Sequence, residues 1–182
     1  MRSGSDARRR RKLRSPLDRE ALERLALRYV GRYATTRSRL RAYLLRKVGE
    51  RGWSGEGEPS IEAVIEQMAR RGYVDDSAFA AGRIASMQRR GYGERRISQA
   101  LAAAGIRAAE RAETVQTVAD GALEAALRFA KRRKLGPYAI EKPDRAARER
   151  GFAAMVRAGH PIEIVKTVLD AELGDIPESY GI

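Results

Sequence analysis

The side chains able to support chemistry are few, and their types point away from catalysis. Cysteine is absent from the 182-residue chain, so there is no thiolate nucleophile, no thiolate metal ligand and no disulfide framework. The one histidine, His160, precedes Pro161 at a predicted helix start, where a capping or solvent-facing role is expected rather than general-base work. Asp75 and Asp76 are adjacent carboxylates without a third ligand at a fixed spacing. Capping the free N–H groups of the helix that follows them accounts for both. Gly-Lys never occurs as a dipeptide, which excludes a phosphate-binding loop of the G-x-x-x-x-G-K type. No catalytic residue, metal or cofactor is expected, and any effect on ATP hydrolysis would have to be exerted on another protein's site.

Cations are the chemistry that remains. Lys and Arg number 37 against 24 Asp and Glu, a formal charge of +13. Residues 1–14 hold seven bases and one acid, so an arm of almost no apolar content carries +6 and the body keeps +7. That excess predicts a polyanion or an acidic protein surface as partner. The bases are clustered. Arg83 and Arg90 lie seven apart on one helix face with Arg89 beside them, and Arg95 and Arg96 follow across the Gly91–Gly93 turn. Lys131, Arg132, Arg133 and Lys134 form a second cluster, with Arg128 one turn earlier. Arg28, Arg32, Arg39 and Arg41 are the nearest equivalents earlier in the chain. Aromatic residues are not expected to interleave with the bases, so a base-stacking platform is not expected.

The elements that must position these clusters read as helices throughout; no segment shows the strict alternation of a half-buried strand. Ser15-Pro16-Leu17-Asp18 predicts a first helix running to Tyr33, with Leu22, Leu25, Tyr29 and Tyr33 on one face. Thr35 or Thr36 caps a second, bearing Leu40, Tyr43, Leu44 and Val48 inward and Arg37, Arg41, Arg46 and Lys47 outward. Four glycines mark 49–59 as a mobile turn, with Trp53 docking onto the first unit. Ser60 caps a third helix with Ile61, Val64, Ile65 and Met68 buried. After Gly72, a fourth helix carries Ala80, Ile84 and Met87 at spacings of four and three, and a fifth carries Ile97, Leu101 and Ala104 before Gly105. A sixth is expected over Ala108–Ala119 and a seventh, with Leu123, Leu127 and Ala130 inward, up to Gly136-Pro137. An eighth begins at Pro143, with Phe152, Met155 and Val156 inward. The ninth opens at Pro161, with Ile162, Val165 and Leu169 facing the core, and closes at Gly174.

An internal repeat orders these helices. Ala26-Leu27-Arg28-Tyr29 recurs as Ala126-Leu127-Arg128-Phe129, a shift of 100, and Ile61-Glu62-x-Val64 recurs as Ile162-Glu163-x-Val165, a shift of 101. The expectation is an all-α, elongated array of three tandem three-helix units, 15–73, 74–120 and 121–174, between a disordered arm (1–14) and a frayed tail (175–182). Stacked with a constant rotation, the units would align their basic clusters as a stripe. No apolar run approaches the roughly 20 residues that span a bilayer, and a cytoplasmic monomer is expected.

One stretch is specific enough to suggest a family. Gly72-Tyr73-Val74-Asp75-Asp76-x-x-Phe79-Ala80, followed by Arg90-Gly91, Arg96-Ile97, Leu101 and Gly105-Ile106, resembles the central block of the RecX regulators of bacterial RecA recombinase. The likeness extends from about Leu17 to Leu173 and leaves out the arm. It implies tandem three-helix units and a non-enzymatic protein that lodges in the groove of a RecA filament on single-stranded DNA. It also implies that such a protein limits strand exchange and ATP hydrolysis. On that reading the ten bases from Arg83 to Lys134 named above carry the contact. An alternative reads 75–104 as a helix-turn-helix, although Ser98, Ala102 and Ala103 on its second helix offer little to base edges.

Overall fold

The computed structural model describes residues 15–107 and 121–178, and every regular element among them is helical. Eight α-helices follow in order: α1 Arg19–Val30, α2 Arg37–Arg51, α3 Ile61–Arg70, α4 Asp76–Arg89, α5 Glu94–Ala102, α6 Ala122–Arg133, α7 Arg145–Arg157 and α8 Ile162–Asp170. A short 3-10 turn, Gly136–Tyr138, lies between α6 and α7. The helix expected at Ala108–Ala119 and the arm at 1–14 fall outside the described residues.

The chain divides into two compact units, Met1–Asp76 and Ser77–Ile182. In the first, Leu22, Leu40, Leu44, Val64, Ile65 and Met68 of α1–α3 form one apolar cluster. The second holds two. Ala80, Ile84, Met87, Ile97 and Leu101 join α4 to α5, while Ala126, Phe129, Met155, Val165 and Val168 join α6, α7 and α8. Tyr92 packs against both clusters.

Five of the helix stops among the described residues share one geometry. Tyr73, Tyr92, Ile106, Leu135 and His160 each donate a backbone N–H to the carbonyl five residues earlier, at 2.9 to 3.3 Å. In each case the residue before the donor is left-handed, with φ between +56° and +93°. This closure satisfies carbonyls that a helix end otherwise leaves unpaired, and glycine adopts it without a Cβ penalty. Four of the five positions are glycine: Gly72, Gly91, Gly105 and Gly159. The fifth, Lys134, is the sole non-glycine residue at positive φ among those described.

Several expected boundaries shift for physical reasons. Leu17 is fully buried, and its N–H and carbonyl pair with Gly52 and Ser54 at 2.9 Å each. Residues 15–17 are therefore extended, and the cap of α1 is Asp18, which accepts from the Ala21 N–H at 2.7 Å. α1 ends at Val30 rather than Tyr33. α2 continues through Gly49 to Arg51, so the loop begins only at Gly52. Thr36 caps α2 as expected, whereas Ser60 makes no side-chain cap bond. α6 stops at left-handed Lys134 instead of Gly136, and α7 starts after Asp144, whose carboxylate accepts from Ala147 N–H at 2.6 Å. α8 ends at Asp170, four residues before Gly174. Ile162 is 48% exposed, and Ile164 and Val168 take the buried positions. Asp76 starts α4 but aims its carboxylate at another helix, accepting the Arg37 N–H at 2.9 Å at the head of α2.

Candidate binding surface

The corner between α4 and α5 sets the position of the basic residues in the second unit. Gly91, at φ +72°, lies flat on α6: a Cβ there would sit 2.5 Å from the Phe129 amide nitrogen and 2.8 Å from the Ala125 carbonyl oxygen. A Cβ on Gly93 would lie 2.4 Å from the Gly159 carbonyl oxygen, and one on Gly159 would lie 2.4 Å from the Arg96 amide nitrogen. The Gly93 N–H donates to Ala158 O at 2.9 Å and the Arg95 N–H to Gly159 O at 3.3 Å. The α4–α5 corner is thus clasped between α6 and the α7–α8 turn.

His160 holds the same joint. It is 4% exposed, and its Nε2 lies 3.0 Å from the Gly91 carbonyl oxygen. A carbonyl only accepts, so Nε2 carries the proton and Nδ1 is the bare ring nitrogen. Nδ1 is buried and has no hydrogen-bond partner among the described residues. The ring also meets Phe129 edge-on at 5.7 Å. Burial pulls the imidazole below its ordinary pKa, and the bond to Gly91 only partly offsets this. The solvent-facing or capping role expected for His160 is therefore replaced by a buried cross-link. Its apolar neighbours come from distant segments, which sequence position beside Pro161 does not reveal.

The clasp brings the two basic clusters together. Arg132 of α6 donates from Nη1 to the Arg90 carbonyl at 2.8 Å, so Lys131–Lys134 lies beside the Arg89–Arg90 end of α4. Arg95 donates from Nη2 to Val156 O at 3.2 Å, facing the α7–α8 side. All ten bases expected to carry the contact are exposed. Among the described residues only Arg128 is neutralised, by Glu124 at 3.1 Å one turn away. Arg83, Arg89, Arg90, Arg96, Lys131, Arg133 and Lys134 pair with no acid among the described residues; the cationic ends of Lys131 and Arg133 lie 6.0 Å and 5.7 Å from the rings of Tyr138 and Phe129. Pairs that close, at surface dielectric, are worth little alone, but seven uncompensated cations on one unit give a strong local field.

The first unit's bases behave differently. Arg37 pairs with Glu66 at 2.6 Å, Arg41 forks onto Glu62, and Arg46 and Lys47 share Glu50 at 2.6 Å each. The Arg41 hydrogen bond and charge hold the Glu62 carboxyl below its usual range, and Lys47 and Arg46 do the same for Glu50. Arg28 and Arg32 have no acidic partner among the described residues. They flank three tyrosines brought together from α1, the segment after it and α2: Tyr29 stacks on Tyr43 at 4.2 Å and 19°, and Tyr33 leans on Tyr29 at 5.4 Å and 51°. Bases and rings do interleave here, which corrects the expectation that they would not. The signal was the Tyr29–Tyr33 spacing of one helical turn, each with an arginine immediately before it; Tyr43 joins only in three dimensions. Trp53 is partly buried against the same core and donates from Nε1 to Gly57 O at 2.9 Å, in keeping with a docking role.

Comparison with known proteins now decides the family. The chain is 34% identical over 158 residues to Regulatory protein RecX of Myxococcus xanthus strain DK1622, covering 82% of this chain and 84% of that protein. It is 31% identical over 138 residues to Regulatory protein RecX of Agrobacterium fabrum strain C58, covering 74% and 73%. The chain belongs to the RecX family. A crystal structure of regulatory protein RecX has the same fold, with a TM-score of 0.62 at 19% identity over 84% of this chain and 71% of that one. No family model matches the sequence. The RecX block at 72–106 now has a physical account: Gly72, Gly91 and Gly105 are its left-handed stops, while Ile97 and Leu101 are core and Phe79 packs against that core. The Asp76 carboxylate accepts the Arg37 N–H, whereas Tyr73 is half exposed. Among the described residues there is no group of three acids or histidines able to hold a metal ion, and no helix long and apolar enough to cross a membrane.

Proposed function

We propose that this RecX-family chain is a non-enzymatic regulator that binds RecA and its filaments on single-stranded DNA, and that it mainly inhibits recombinase, strand-exchange and ATPase activity. It acts as a cytoplasmic monomer in DNA repair and homologous recombination, within the SOS response. The observation that carries the reading is the junction at Arg90 and Arg132, where two basic clusters distant in sequence adjoin on one compact unit of a RecX-family protein. Acidic recombinase surface and DNA phosphate both complement such a face, and the phosphate share adds a salt-dependent part of the affinity. The helix-turn-helix alternative is disfavoured, because the first turn of α5 is hydrogen-bonded onto Gly159 and is not free to enter a groove end-on.

The test replaces Arg83, Arg89, Arg90 and Lys131 with Glu, sparing Arg95 and Arg132, which also bond to backbone carbonyls. Wild-type protein is expected to suppress RecA's single-stranded-DNA-dependent ATPase and to co-sediment with the filaments less at high salt than at low. The variant is expected to lose both properties with its helical circular dichroism intact. Undiminished inhibition by a folded variant would remove the assignment.

A further inference from the structure

The tyrosine cleft of the first unit is not used by the basic face described above, and its chemistry is distinct. It is an open cleft of about 400 Å³ walled by Arg28, Tyr29, Arg32 and Tyr33 of α1 and the segment after it, and by Tyr43 and Arg46 of α2. Tyr29 and Tyr43 already form a parallel stack, and Tyr33, 55% exposed, offers ring surface to solvent at its edge. An exposed tyrosine beside two further rings is a platform that a flat π-system can extend.

The charges beside the rings are unequal. Arg46 and Lys47, whose charged ends lie 5.6 Å and 5.8 Å from the Tyr43 ring, are committed to Glu50. Arg28 and Arg32 have no acid to satisfy them among the described residues. The carbonyl end of α1 contributes only about half a negative charge, so the two guanidiniums dominate the local field and favour an anion. A ligand matching this surface must carry a planar aromatic face and a phosphate-like charge at neighbouring positions. An acidic peptide would use the arginines and leave the rings bare. A duplex would present phosphates while keeping its base faces stacked inside.

We propose that the Arg28–Tyr29–Arg32–Tyr33–Tyr43 cleft binds single-stranded nucleic acid directly, with bases stacked on the tyrosines and phosphates on Arg28 and Arg32. Stacking of this kind tolerates any base sequence, and the electrostatic part weakens with salt. The site needs no recombinase, so it stands or falls separately from the regulatory reading.

Fluorescence anisotropy of the full chain with a labelled oligo-dT tests it, against an abasic strand of equal phosphate number and a duplex of equal length. The basic arm attracts all three, so the difference between oligo-dT and the abasic strand isolates stacking. Oligo-dT is expected to bind more tightly than either competitor. Tyr33→Leu, at an exposed position, is expected to weaken oligo-dT binding by about 5- to 150-fold while leaving the abasic strand unaffected. Tyr33→Phe, which keeps the ring, should restore the preference. Arg28→Gln with Arg32→Gln should flatten the slope of log K against log salt by about 1.4, from 0.7 per phosphate. Equal affinity for oligo-dT and abasic strand, a duplex preference, or an unchanged Tyr33→Leu would each overturn the proposal. Loss of oligo-dT binding in Tyr33→Leu with RecA inhibition retained would show that the two surfaces work independently.

Discussion

His160 is the only histidine in the chain, so a stability change between about pH 7.5 and 5.5 reports mainly on it. The fold favours its neutral form, because a proton on Nδ1 would become a buried donor without a partner. The unfolded chain takes up that proton near pH 6.5. Its contribution is therefore complete above pH 6.5 and declines as the pH falls toward the lower folded value. The urea midpoint should drop between pH 7.5 and 5.5, and His160→Gln, whose amide can still donate to Gly91 O, should flatten that drop. An identical slope in the variant would assign the pH effect elsewhere. A pair of glycines separates backbone strain from packing at the same scale. Gly72 and Gly91 have nearly equal angles, φ +74° and +72°, but a Cβ on Gly72 meets open space and one on Gly91 meets α6 backbone. Gly72→Ala should cost about 1–2 kcal/mol. Gly91→Ala should cost about 2–5 kcal/mol once overpacking is added. Equal losses in chemical denaturation would mean that the joint yields without resistance.

Helix ends in this chain use side chains selectively. Asp18 and Asp144 accept from the third residue after them, whereas Ser60 occupies the same place without a bond. Asp18→Ala and Asp144→Ala should each lose about 1 kcal/mol, while Ser60→Ala should stay within about 0.5 kcal/mol. Thermal melts of the three variants check this, and a large loss at Ser60 would contradict the observed geometry. The repeat motifs are matched only in part. Ala26 and Ala126 are both fully buried and Val64 and Val165 are both buried, yet Ile61 is buried while its counterpart Ile162 is half exposed. Similar sequence placed similar helices, and local packing then chose which apolar face each one buries.

For the whole molecule, the sequence repeat and the two compact units frame one measurable expectation. A compact globule of this length would have a radius of gyration of about 16 Å. Three helical groups stacked in a row, as the repeat predicts, require a clearly larger value from small-angle scattering. A value at the globular limit would end the stacked-array account and with it the idea of a continuous basic stripe. The net charge of +13 belongs to this scale as well. Association with any polyanion should weaken steeply with salt, because each displaced phosphate counterion contributes to the slope.

Sequence by itself determined the helical class, the apolar stripes such as Ile61, Val64, Ile65 and Met68, and the glycine stops at Gly72, Gly91 and Gly105, but not the ends of α6 and α8. These depend on period and backbone freedom, which are local properties. It also carried the family likeness at 72–106, since that motif is mostly stops and core positions of one helix pair. Tertiary structure alone decided what those helices meet. Leu17 is extended because its partners lie at Gly52 and Ser54, and Asp76 serves α2 across 39 residues. His160 is buried because Gly91 and Phe129 close over it. Arg90 meets Arg132, and Tyr43 completes a tyrosine cluster, only after distant segments pack. Such contacts arise from burial and hydrogen bonding between segments far apart in the chain, and neither leaves a periodic trace in the residues that make them.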